Sequence, residues 1–314
     1  MKTNIKLIMA FAIAMSVVFT SCKKTDAVDN TDNSTELSTH SEDQARVSGD
    51  VDDVADDVNG IIDEYSAFTG SRTYNTDNPS DVICNGTAVM DSTSTDRRIT
   101  ITYNGANCIG NRIRQGIVIV TMPLTSRWRD AGAVLTVTTQ SLRITRVRDN
   151  KSITISGTQT YTNVSGGLLR NLATLGSITH DINSTGITVT FDNNSQRSWQ
   201  VARRRVFSYN NGIVITVTGT HTDGTITGIS EWGTNRFGNN FVTSITQPMV
   251  VRQDCNFRLV SGEVKHQRLA ANIVTTFGLD SAGIPTGCPG NGTYYFKTVW
   301  TGINGVVRTV ILPY

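Results

Sequence analysis

The 314-residue chain predicts an all-β fold: an antiparallel meander or sandwich of about a dozen strands with one short N-terminal helix. Three observations lead there. After Arg97 apolar and polar residues alternate along most of the chain, as strands with one buried and one wetter face require. The alternating runs are rich in Thr, Val and Ile, whose branched side chains fit a pleated surface. Turn residues interrupt the runs at short intervals, and no long helical pattern lies between them, which argues against a parallel βαβ sheet.

The elements follow in order. Lys2 and Lys6 precede an apolar stretch from Leu7 to Phe19, which closes on Thr20-Ser21-Cys22. A basic start, an apolar run of about 13 residues and small residues before a cut site form a secretory signal. The run is too short to span a bilayer, which takes about 20 apolar residues. Cys22 at its end resembles the bacterial lipoprotein box, whose thiol is lipidated, although Phe19 stands where Leu is usual. Residues 1–21 thus read as a signal peptide and Cys22 as a lipid anchor to a membrane. Lys23 after the cysteine, in place of the inner-membrane Asp, points to the outer membrane, with the face left open. Residues 22–46 are polar and acidic and read as a disordered tether with a reach of roughly 25–30 Å.

Residues 47–314 then read as a single all-β domain opened by an amphipathic helix. Val47, Val51, Val54, Val58, Ile61, Tyr65 and Phe68 recur at alternating spacings of four and three, which sets them on one helical face. Ser48 is the expected N-cap, with Asp50, Asp52 and Asp53 in the first turn, where the helix dipole favours negative charge. Most of these carboxylates lie opposite the apolar stripe and read as a solvated face. The calcium-loop spacing D-x-[DN]-x-[DN]-G is absent.

Strands follow. Ile99, Ile101 and Tyr103 alternate with threonines, as do Ile187, Val189 and Phe191, and then Ile213, Ile215 and Val217. Asp149-Asn150-Lys151, Ser165-Gly166-Gly167, Asp192-Asn193-Asn194, Asn211-Gly212, Asp223-Gly224 and Asn304-Gly305 mark turns, and the Asn-Gly and Asp-Gly pairs are hairpin signatures. Gly224-Thr-Ile-Thr-Gly228 lies in strand sequence and reads as a bulge or tight bend.

Apart from Cys22 there are four cysteines, Cys84, Cys108, Cys255 and Cys288, which in an exported chain read as two disulfides with three pairings open. Both pairs repeat the order Cys-Asn, strand, Gly-containing turn, Cys. The simplest pairing is therefore Cys84 with Cys108 and Cys255 with Cys288. A closed loop of about 25 residues contributes roughly 3.5 kcal/mol in the chain-entropy treatment. No CxxC or Cys/His spacing suggests a metal.

The stretch from Ile99 through Asn104-Gly105, Cys108, Arg112, Arg114 and Gly116 resembles a recurrent block of Bacteroidota-type outer-membrane and surface lipoproteins. Gly233 to Gly238 with Pro248 and Cys255 is similar to a second block, and Gly278 through Cys288 to the last strand to a third. The resemblance implies a β-rich, cysteine-containing envelope protein and carries no activity with it.

Charge is unevenly placed. Residues 26–64 hold 13 acidic side chains against Arg46 alone, while the remainder of the chain is moderately basic. The arginines are scattered over many segments and read as solvated strand faces. Arg203-Arg204-Arg205 alternates faces and cannot form a one-sided patch. Nucleic acid is not a partner for an exported, anchored chain.

Chemistry is sparse. There is no Gly-x-Ser-x-Gly elbow, no His-Glu-x-x-His helix and no phosphate loop. His180-Asp181 and His221-Thr222-Asp223 flank turn sequences and read as exposed turn histidines. Glu231 and Glu263 are the only glutamates after Glu64. Glu231-Trp232 alone has the look of a sugar subsite, an aromatic face beside a carboxylate. Trp128, Trp199 and Trp300 read as core or rim packing. No catalytic residue, cofactor or metal is assigned. The expectation is a lipid-anchored β-domain with a non-enzymatic binding or envelope role. Its partners would be the membrane and either a glycan or an envelope protein. The alternatives are a polysaccharide hydrolase using Glu231 and Glu263, which would require the two carboxylates to face each other about 5–9 Å apart, or a purely structural envelope component.

Overall fold

The structure, a computed structural model, describes residues 30–70, 83–267, 272–288, 292–301 and 305–314. The signal peptide and Cys22 lie outside the described residues.

Among the described residues, fifteen strands form one antiparallel sheet. They are β1 (Gly86–Ser92), β2 (Asp96–Ala106), β3 (Arg112–Pro123), β4 (Ala133–Arg146), β5 (Ser152–Asn163), β6 (Ser177–Phe191), β7 (Gln196–Tyr209), β8 (Ile213–Gly219), β9 (His221–Asp223), β10 (Ile226–Thr234), β11 (Asn240–Arg252), β12 (Arg258–Gln267), β13 (Ile273–Leu279), β14 (Tyr295–Thr301) and β15 (Val307–Pro313). Neighbours run in chain order from β1 to β7 and again from β10 to β15. β8 bridges β7 and β11, and β9 pairs with β10. The all-β expectation holds, as a meander in a single sheet.

The alternation in sequence becomes two faces. Ile99, Ile101 and Tyr103 are buried, as are Ile187, Val189 and Phe191, while Thr100 is half-buried and Thr102 exposed. The outer face carries hydroxyl pairs such as Thr138 with Thr158 at 3.1 Å and ion pairs such as Arg204 with Asp181 at 2.8 Å. Curvature comes from bulges. One falls where β3 meets β4, between Gln115 and Ile117. Gly116 sits there with φ +134°, where a Cβ would come within 2.8 Å of the Leu142 Cα, so only glycine fits. A register shift between Ile226 and Ile229, with Gly228 at φ +67°, matches the bend read from the glycine spacing.

What the sheet encloses differs from expectation. α1 runs from Asn30 to Glu64, 35 residues or about 52 Å, and is followed by one short turn, α2 (Ser66–Thr69). Residues 30–46, read above as part of a disordered tether, are helical, and Leu37, His40, Ser41, Asp43, Gln44 and Arg46 are buried. Ser48 is not an N-cap; it lies in mid-helix. Side chains from β3, β4, β7, β10 and β14 all reach α1, so the sheet must curl around it. The apolar stripe from Val47 to Phe68 packs on Ile99, Ile101, Val118, Trp128 and Trp199 in the main core. Each fully buried aliphatic or aromatic side chain contributes about 1.5–3 kcal/mol.

Two cross-links close loops at the sheet's margins. Cys84 is bonded to Cys108, with Cα atoms 5.2 Å apart, and Cys255 to Cys288 at 5.1 Å. Both separations lie in the ordinary range for a disulfide.

Candidate functional site

Charged chemistry in this protein gathers between α1 and the concave face of the sheet. The carboxylates read as a solvated helix face, and Glu42 and Asp43 of the segment read as a tether, are instead met by arginines from distant strands and from the β10–β11 connection. Asp43 takes two hydrogen bonds from Arg236 at 2.6 and 2.5 Å, and Glu42 is paired with Arg146 at 2.7 Å. Asp50 accepts from Arg112 at 2.7 Å and Asp57 from Arg114 at 2.8 Å. Asp52 pairs with Arg203 at 3.0 Å and Asp56 with Arg205 at 2.5 Å. Strand geometry explains the spacing. Arg112 and Arg114, like Arg203 and Arg205, stand two residues apart and so project to the same face. Arg204 between the latter points outward to Asp181.

Glu231 is the hub of this network. It is buried on β10 and accepts from Trp199 Nε1 at 2.6 Å and from Ser48 Oγ at 2.6 Å. Gln44 Nε2 and Arg203 Nη2 also donate to it, and Arg197 lies 3.7 Å away. Arg197 in turn donates to Gln44 Oε1. A carboxylate offers about four acceptor sites, and here they are filled by protein donors. Glu231 is thus a structural acceptor that joins α1 to β7 and β10, without room for a substrate proton or hydroxyl.

The sugar subsite read from Glu231-Trp232 is not assembled. Successive strand residues face opposite ways, so Trp232 points outward, where it stacks on His221 with ring centroids 4.3 Å apart. Glu263 is half-buried on β12 and accepts from Thr246 at 2.7 Å. It alternates with buried Gly262 and Val264 and so lies on the outer face, while Glu231 lies on the inner one. The pair proposed for hydrolysis is therefore divided by the sheet. Trp128, Trp199 and Trp300 are buried, as packing residues.

Three of the four histidines are interior, contrary to the reading of His180 as an exposed turn residue. His180 lies between Trp128 and Phe207, 4.9 Å from each ring, with neither nitrogen bonded. Burial, then the nearby Arg205 charge, pushes it down to about 3. His266 is pushed down to about 3 by burial and Arg197, and its Nδ1 lies 3.0 Å from Thr243 Oγ1. His40, on the segment read as a tether, sits edge-on to His266 at 5.0 Å, and burial first and then His266 and Arg197 hold it well below the usual imidazole range.

Asp53 is set apart from the other helix carboxylates. Solvent reaches it, yet protein groups crowd it, and it forms no ion pair among the described residues. Burial among protein groups, with Asp50 and Asp56 beside it, pushes it up to about 8. Among the described residues, the group with metal-like proximity is Asp254 with Cys255 and Cys288. Both sulfurs there are spent in a disulfide, which leaves one carboxylate.

Sequence reasoning missed this network because its two halves look unrelated along the chain. The available clue was the charge asymmetry itself, an acidic N-terminal stretch and a basic body, together with arginines at i, i+2 spacing. No family model, no curated protein and no solved structure matches the chain.

Proposed function

We propose that this protein is a lipid-anchored envelope protein whose β-domain has a structural, non-enzymatic role at the outer membrane. The observation that carries the non-enzymatic reading is the state of Glu231. The most catalytic-looking carboxylate of the body is buried and saturated by four donors, with the Arg197 charge beside it, while its only possible glutamate partner faces the other side of the sheet. The concave face, where a glycan would be expected to stack on tryptophan, is filled by the protein's own helix. That favours a rigid envelope module over a glycan binder.

The anchor half of the proposal rests on the sequence from Lys2 to Cys22. Metabolic labelling with palmitate, followed by membrane fractionation, tests it. Wild-type protein should carry label and sediment with outer membranes, and Cys22→Ser should do neither. Unlabelled wild-type protein would overturn the proposal. Cleavage of any envelope polysaccharide by the purified protein would overturn its non-enzymatic part.

A further inference from the structure

The helix start lies between the β10–β11 connection and the facing ends of β14 and β15. Glu36, on the second turn of α1, accepts from Asn235 at 2.9 Å and from Asn239 at 2.6 Å, which flank the tip joining β10 to β11. Leu37 packs on Ile273 and Trp300, and Trp300 pairs with Arg308 across β14 and β15. There Phe237 is 48 % exposed, Val306 54 % and Val307 62 %, with exposed Arg308 alongside. The other end of α1 is remote. Asp63 there accepts from the Arg170 backbone at 3.1 Å, about 40 Å along the helix axis from Glu36.

The chain outside the described residues is short on this side. Cys22 precedes Asn30 by eight residues, which span at most about 26–29 Å however they are arranged. An acyl anchor at Cys22 would hold this end of the domain, and not the other, beside the bilayer. A tether so short gives an effective concentration in the millimolar range, so a weak apolar contact suffices to dock.

We infer that the end of the domain bearing Phe237, Val306 and Val307 rests on the bilayer to which Cys22 is anchored, with these side chains in the interfacial layer and Arg308 against lipid phosphates. The inference rests on the lipid anchor proposed above. Large apolar side chains flanked by a cation suit the headgroup–acyl boundary, into which interfacial elements sink about 5–10 Å. The domain would then stand with α1 rising away from the membrane, not lifted off on a long tether.

Full-length acylated protein in phosphatidylethanolamine–phosphatidylglycerol vesicles with brominated acyl chains tests this. Phe237→Trp and Leu175→Trp place a reporter at either end of the molecule, since Leu175 is exposed on the connection between β5 and β6 near Arg170. Mass spectrometry of the N-terminal peptide from the same sample records acylation of Cys22. The expected result is loss of the added emission for Phe237→Trp and none for Leu175→Trp. Acylated protein in which the emission added by Phe237→Trp survives, or in which Leu175→Trp is quenched as strongly, overturns the orientation and leaves the anchor standing. A Cys22 peptide without acyl mass overturns the anchor, and the orientation with it.

Discussion

The buried imidazole of His180 makes a quantitative prediction about acid. The ring has no hydrogen-bond partner, and in the folded protein it is pushed down to about 3. Unfolded, it titrates near its ordinary value of about 6.5. A group whose folded value is depressed below the unfolded one binds protons preferentially in the unfolded chain. Stability is therefore full above about pH 6.5 and is lost as pH falls. Linkage between about 3 and about 6.5 puts that loss near 2 kcal/mol per imidazole at pH 5, and His266 adds a similar amount. Asp53 and Asp63, pushed up to about 8 and about 6, act in the opposite sense over this range and offset it by a comparable amount, so the loss shows only in the difference between wild type and a variant lacking the ring. The perturbation that isolates one ring is His180→Phe, which keeps aromatic contact with Trp128 and Phe207. Packing differences are independent of pH, whereas the titration is not. Urea unfolding of both proteins between pH 7.5 and pH 5, with disulfides intact, should show wild type losing about 2 kcal/mol more than the variant. Equal losses would refute the assignment of His180 as a neutral buried ring.

Other outcomes follow from the same network. Glu231→Gln should cost about 3–5 kcal/mol in chemical denaturation, because it leaves buried Arg197 and Arg203 without their shared counter-charge. Asp53→Asn should raise stability at neutral and alkaline pH and have least effect in acid, since a carboxylate held up to about 8 is costly to ionise in the folded protein; an unchanged pH profile would count against it. Ile61→Ala, at a fully buried position in the main core, should cost about 2–5 kcal/mol. Non-reducing peptide mapping should link Cys84 to Cys108 and Cys255 to Cys288, and removing the first bridge should cost about 3.5 kcal/mol.

The strands were legible in the sequence because a buried sheet face writes itself as alternation. Ile99-Thr-Ile-Thr-Tyr103 is its own evidence, and Asn211-Gly212 its own turn. The second half of α1 was legible for a similar reason, since Val47 to Phe68 keeps a helical apolar period. The first half was not, because residues 30–46 have no such stripe. They are buried through polar contacts, such as Asp43 with Arg236 and Gln44 with Glu231, whose partners lie 187 or more residues away along the chain. Local hydropathy cannot register a match of that kind. The same blindness made Glu231 look like a sugar ligand. Beside Trp232 in sequence it is suggestive, but alternation sends the two to opposite faces, and Ser48 and Gln44 of α1 occupy the carboxylate.

The central claim is that an acidic helix from Asn30 to Glu64 fills the concave, arginine-lined face of the sheet as part of the folded domain. Native-state hydrogen exchange across α1 tests it most directly. Amides of residues 37–47 should be protected to the same extent as those of residues 54–62 and should open only with global unfolding. Exchange of residues 37–47 at rates typical of an unstructured chain, with the rest of the domain still protected, would contradict the account.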